Sequence, residues 1–316
     1  MNTNSRKQDA RSQVKVEGSG LNNPQGGKTD IHQQITDQIL EAMEQSRATG
    51  RRLWDSQQSL PMNLTTGKPY QGINVLILWS AGLSHGYTSP YWLTYKQATD
   101  KGGQVKKGEH GTRCVFYKPW ESQDTNAATG ETETTKGAIL KSFTAFNLDQ
   151  IDGIEAPAKE ERPAFVAIED AERIMAASPA LIKIGGTQAC YIPGRDEIHL
   201  PAREAFINPE AFYSTAMHEM THSTGAKSRL DRDFSGRFGT EAYAFEELIA
   251  ELGSAFLSAD LGILGATLTD HADYLTNWIA ILKGDKKAIT TAAAAASKAH
   301  AFIKGWLVSQ AQTEAA

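Results

Sequence analysis

Residues 218–222 read His-Glu-Met-Thr-His, and no other stretch limits so strongly what this chain can fold into. On a helix, side chains four positions apart project from one face about one turn apart. Two imidazole nitrogens so placed can reach a single Zn2+ at about 2.0–2.1 Å. Glu219 follows the first histidine but is rotated around the helix. It can therefore approach water polarised by the metal without binding the metal, and act as a general base. With eight histidines in 316 residues, an accidental HExxH has a probability on the order of a few per cent. The flanks agree with a helix: Asn208-Pro209 supplies an N-cap followed by Pro at the first helical position, and Gly225 stops the helix soon after His222.

A catalytic zinc takes three protein ligands and keeps one open position. No third histidine follows at short spacing, so the next helix, expected over residues 241–261, must supply a ligand from Glu246, Glu247 or Glu251. Glu247 and Glu251 share a face, among small residues (Ala244, Ala250, Gly253, Ser254, Ala255) that permit close packing on the motif helix. Carboxylates on such a face are costly unless they bind something. One on the metal and one orienting a ligand histidine resolves that cost. The segment Glu247-Leu-Ile-Ala-Glu251 resembles the second motif of glutamate-liganded zinc peptidases, which implies Glu247 as ligand and Glu251 behind it. On the residues alone the reverse assignment stays open. Thr187–Ile192 and Glu197–Leu200, flanking Pro193–Asp196, read as a hairpin with one strand bordering the cleft. His199 within it reads as structural.

The rest of the chain divides around this half. Residues 1–29 are polar and predict disorder. Ile31, Ile35, Ile39, Leu40 and Met43 recur at helical spacing. An aromatic-rich region follows, with strands at Arg113–Lys118 and Ala138–Phe146 joined by a polar loop over residues 121–137. The charged, Pro-containing segment 152–163 reads as a linker between a small α+β domain over 30–151 and a second domain over 164–312, built of a short sheet and several helices. The class is α+β. Two distant cysteines, Cys114 and Cys190, suggest free thiols in a reducing cytoplasm. No apolar stretch is long enough to span a bilayer, and the N-terminus has no secretory character.

Although the chain carries 32 basic against 37 acidic residues, the window Leu60–Lys118 holds seven basic and two acidic residues, with eight aromatics among them. Cations that follow phosphates, interleaved with rings that stack on unpaired bases, suit single-stranded nucleic acid. The candidates are Lys68, Tyr70, Tyr91, Trp92, Tyr95, Lys96, Lys106, Lys107 and Arg113, while Trp79, ending an apolar run, reads as core. A Ser89-Pro90 helix start is expected ahead of Tyr91.

Three segments, Leu60–Asn74 (LPMNLTTGKPYQGIN), Tyr91–Gln97 (YWLTYKQ) and Gly102–Gly108 (GGQVKKG), resemble the N-terminal domain of the ArdC antirestriction proteins and related TraC-type plasmid primases. The His218–His222 motif and Tyr243–Gly253 (YAFEELIAELG) are similar to the zincin-like metallopeptidase domain that accompanies it. The resemblance covers roughly residues 30–310. It implies a plasmid-borne protein that binds single-stranded DNA and shields incoming conjugative DNA from type I restriction. It further implies Zn2+, or another divalent ion such as Mn2+, on His218 and His222, with Glu219 as acid/base. The partners so implied are single-stranded DNA and an unidentified protein substrate, such as a host restriction component. No primase catalytic region is present, so priming does not transfer. The rival reading is a DNA-binding protein whose metal is structural.

Overall fold

The computed structural model describes residues 30–49, 59–125, 132–157, 164–234, 240–263 and 272–314. The expectation of disorder over 1–29 lies outside these residues. So do residues 126–131 of the expected loop and 158–163 of the expected linker.

The first helix, α1 (Ile31–Thr49), follows from the apolar repeat, and its Ile35, Ile39 and Met43 are buried. A two-residue hairpin, β1 (Met62–Asn63) and β2 (Lys68–Pro69), turns through Gly67 at φ 65°. The apolar run at 73 begins α2 (Ile73–His85), which is buried on nearly all sides and includes Trp79 in the core, as expected. Ser89-Pro90 starts no helix. Instead β3 (Tyr91–Leu93) runs parallel to β1, and α3 (Tyr95–Asp100) starts four residues later at Thr94. Thr94 forms a reciprocal capping box with Gln97, a stronger start than Pro alone. Then come β4 (Gln104–Val105), β5 (Thr112–Thr125), β6 (Thr132–Asn147) and β7 (Ile151–Asp152). One sheet has the order β2-β1-β3-β6-β5, and β4 pairs with β7.

The expected polar loop over 121–137 is largely strand. β5 and β6 stay in register from Thr112↔Ala145 out to Thr125↔Thr132. The outer strand segments are polar (ESQDT and TETTK), so no apolar alternation marks them. The 2.8 Å Lys136–Glu121 ion pair crosses between them instead.

In the second half, α4 (Ala164–Ala176) precedes β8 (Leu181–Gly186), β9 (Cys190–Ile192) and β10 (Glu197–Pro201), in the order β8-β10-β9. The hairpin β9–β10 stands where it was expected, and β8 adds a parallel partner to β10. Helices α5 (Pro209–Ser223), α6 (Glu241–Leu261), α7 (Ala272–Gly284) and α8 (Ala288–Glu314) complete the chain. Among the described residues no helix is long and apolar enough to cross a membrane.

One apolar cluster joins Ile39 and Met43 of α1, Leu76 of α2 and Val115 of β5 to Leu252 and Phe256 of α6 and Ile289 of α8. A second gathers Ile174 of α4, Leu200 of β10 and Met217 of α5 around Leu257 of α6 and Ile303 of α8. The regions before and after residues 152–163 therefore share a core. A hydrogen bond from Gly72 N to Ser297 Oγ, 2.7 Å, crosses the same divide.

Candidate metal centre

The site is built by α5 against α6. Asn208 caps α5 by accepting from Ala211 N, with Pro209 behind it. Thr240 caps α6. The helices approach closely because α6 carries Gly253, where a Cβ would come within 2.5 Å of Thr221 Cγ2 on α5. Ser254 Oγ donates to Ser214 O across the same seam at 2.8 Å.

At the head of this seam stand His218 and His222 from α5 and Glu247 from α6, all buried, with one donor atom from each within 4.8 Å of the others. His218 Nε2 and His222 Nε2 are 3.1 Å apart. Glu247 places Oε2 at 3.5 Å from the first and Oε1 at 3.4 Å from the second. Donors around one tetrahedral ion with bonds of about 2.0–2.1 Å lie about 3.3–3.4 Å apart. The three side chains thus fit a divalent cation as they stand.

Each imidazole also faces a carboxylate on its other nitrogen. Glu251 Oε2 lies 3.8 Å from His218 Nδ1, and Glu246 Oε1 lies 3.2 Å from His222 Nδ1. Arg232 holds Glu246 from behind, with Nε and Nη2 at 3.0 and 2.8 Å from the two oxygens. It also donates to Thr221 O and Thr224 Oγ1 at the end of α5. Burial disfavours charge on His222, but its hydrogen bonds to Glu246 and Glu247 outweigh this and push the imidazole up to about 10. Burial likewise opposes charge on Glu247, yet hydrogen bonds from His218 and His222 hold it well below the usual carboxylate range.

Glu219, nearly buried, faces the same cleft without joining the three-donor cluster. This cleft, about 550 Å³, is lined by Tyr191, Phe206, Thr215, Phe234 and Tyr243 as well as the polar cluster. That volume suits a ligand site. The cleft-bordering strand is β9, an edge strand, through Cys190 and Tyr191, with Ala189 just before it. His199, on the central β10, bonds Glu197 at 2.9 Å and is not among the residues that line the cleft.

Of the nucleic-acid candidates, Tyr91 and Lys106 line one cleft. Trp92 is corrected: at 2% exposure it packs with Leu78, Ala81 and Cys114, and no base can reach its ring. The aromatic spacing could not separate core rings from surface rings. Tyr70 and Tyr91 are half-buried, and burial pushes the Tyr70 hydroxyl up to about 12. Tyr95 is exposed, while Lys96 pairs with Asp100 at 2.8 Å. Lys106 donates to Asp149 O and Arg113 to Gln34. Lys68 and Lys107 are exposed. Sequence reasoning passed over Arg232, which no motif marks. It named Glu246 only as one of three acids. It also missed Phe116 and Trp120, exposed on the β5–β6 ribbon.

A helix pair with two histidines, a facing glutamate and a bordering edge strand defines a zincin-like class, joined here to a small α+β region. Residues 169–295 match the model of zincin-like metallopeptidases, and residues 29–146 match the N-terminal domain of anti-restriction factor ArdC. The metal-free crystal structure of the antirestriction protein ArdC from plasmid R388 is 37% identical, with TM-score 0.73 over 89% of this chain and 98% of that one. Its Mn(II)-bound structure is 36% identical with TM-score 0.70, covering 88% and 98%. The protein y4eC of Sinorhizobium fredii is 38% identical over 288 residues, 89% of this chain and 92% of its own length. The Escherichia coli DNA primase TraC is 37% identical over 91% of this chain, but the match spans only 28% of TraC. The chain belongs to the ArdC antirestriction family.

Proposed function

We propose that this protein protects incoming DNA from restriction by binding it single-stranded, and that it carries a metal-dependent peptidase centre at His218, His222 and Glu247. The observation that carries the metal reading is the mutual spacing of the three donors, 3.1–3.5 Å, with a carboxylate standing behind each imidazole. Zn2+ suits two nitrogens and a carboxylate oxygen. Mn2+ is the ion in the R388 ArdC structure and is the competitor to test.

A bound divalent ion supplies Lewis-acid polarisation of a carbonyl and acidifies water. The chain's own residues do the rest. Glu219 accepts the proton of the attacking water and returns it to the leaving nitrogen. The edge strand β9 can hold an extended peptide by main-chain pairing beside Glu219. Glu246, 3.2 Å from His222 Nδ1, fixes the orientation of that ring, while Glu251 stands 3.8 Å behind His218 Nδ1. The substrate class is a peptide bond in a protein of the host restriction apparatus, met in the recipient cytoplasm.

A second reading has one observation in its favour: the three donors lie on two core helices, so an ion would staple α5 to α6 even without chemistry. Glu219→Ala separates the two. It should keep metal and DNA binding and lose protection in a restriction-proficient recipient. Full protection by that variant leaves only the stapling, DNA-binding role.

A further inference from the structure

The β5–β6 ribbon carries exposed aromatic side chains that the metal centre does not use. Its register sets Phe116 opposite Lys141, Lys118 opposite Ile139 and Trp120 opposite Gly137. Because side chains alternate along each strand, these six share one face. Nearer the core the same face continues through Phe143, which lies 6.1 Å from Phe116 and stacks on Tyr70 at 6.5 Å with 14° between the planes. The rings thus run outward from a buried cluster and become accessible, Phe116 to 45% and Trp120 to 39%. Gly137 explains the outermost position: a Cβ there would come within 2.6 Å of the Trp120 indole, so the indole lies across the ribbon in space that only glycine leaves.

Charge selects the occupant. Residues 112–120 and 137–147 contain Arg113, Lys118 and Lys141 and no acid. The acids begin further out, where Glu121 pairs with Lys136 and Asp124 stands opposite Glu133. We propose that this face is a track for single-stranded DNA, in which unpaired bases stack on Phe116 and Trp120 while Lys118 and Lys141 meet the flanking phosphates. The inference rests on the reading of the chain as a single-strand binder and assigns the surface that does the binding. Ring faces favour single strands, because a duplex keeps its base faces stacked inside.

The test is fluorescence anisotropy of a labelled oligo(dT) titrated with the full chain. Phe116→Ala/Trp120→Ala should bind at least about tenfold more weakly, since each base stacked on a ring contributes about 1–3 kcal/mol. Both side chains are exposed, and an unchanged melting curve checks the fold. Trp120→Phe keeps a ring and should recover much of the loss. Lys118→Gln/Lys141→Gln should lower the slope of log affinity against log salt by about 1.4. If the wild type binds oligo(dT) and the double aromatic variant binds it within twofold, the ribbon is not the track. Equal wild-type affinity for a blunt duplex of the same length overturns the stacking account. Unchanged oligo(dT) binding with lost protection would make the ribbon a protein-docking surface instead. No oligo(dT) binding by the wild type sinks the single-strand reading itself, and this inference with it.

Discussion

Glu246 and Arg232 illustrate what single residues contribute to a site beyond its ligands. Glu246 neighbours Glu247 in the chain, but successive helical positions point in different directions, so one acid reaches the histidine nitrogens facing the cleft and the other reaches behind His222. Arg232 then fixes Glu246 with two hydrogen bonds. Glu246→Gln should weaken metal affinity roughly 10- to 100-fold, the usual consequence of losing the partner behind a ligating imidazole. Arg232→Gln should act in the same direction and by less, because it leaves the carboxylate in place. Titration with a competing chelator measures both. Unchanged affinity in Glu246→Gln would show that His222 needs no support from behind. The HExxH motif and the facing acids were legible because each follows from helical spacing alone. Arg232 was not, since it enters from a loop with no periodicity to mark it.

Elements show the same division. Helices α1, α5 and α6 announce themselves through apolar repeats and caps. Of the β5–β6 ribbon only the inner stretches Arg113–Lys118 and Ala138–Phe146 do, because the outer strand pair is polar and leaves no alternation to read. The α5–α6 seam was signalled by small residues, and one of them can be tested. Gly253→Ala removes the entropic cost of a helical glycine, a gain of about 1 kcal/mol. Its Cβ would however strike Thr221, which is fully buried and anchored to Met217 O at 2.7 Å. The net effect should be a loss of up to about 2 kcal/mol by urea denaturation, with weaker metal binding as α5 and α6 part. Adding Thr221→Ala should restore much of it, and simple additivity of the two changes would disprove the contact.

A second seam, α6–α8, depends on pH. Asp260 on α6 bonds His300 and Lys304 of α8 at 3.0 and 2.9 Å. Burial opposes its charge, but these partners prevail and bring it down to about 2 from 3.8. A carboxyl lowered in the folded state stabilises fully above its unfolded value, and that stabilisation fades as pH falls through the folded one. Asp260→Asn should therefore cost roughly 1–2 kcal/mol above pH 4, allowing for partial exposure. The gap from wild type should close towards pH 2. A gap constant across that range would mean that the charge contributes nothing.

At the scale of the molecule, the charged segment 152–163 suggests two domains, and composition has no means of showing that α1, α2, α6 and α8 bury one cluster together. Family models also divide the chain, at 29–146 and 169–295. Cooperativity follows cores rather than motif boundaries, so these regions should melt together. Saturation with Zn2+ or Mn2+ at about 100 times the dissociation constant adds about 2.7 kcal/mol to the folded state. Although the three donors that fit the ion, His218, His222 and Glu247, all lie in the second half, the metal should raise the melting temperature reported by the first half as much as that of the second. Hydrogen exchange can read both: amides of α2, whose Leu76 and Ile77 are fully buried in the shared cluster, against amides of α5. Equal protection gained on metal addition is the expected result. A gain confined to α5 and α6, with α2 unchanged, would mean that the shared core does not couple the halves and that the first half stands indifferent to the metal.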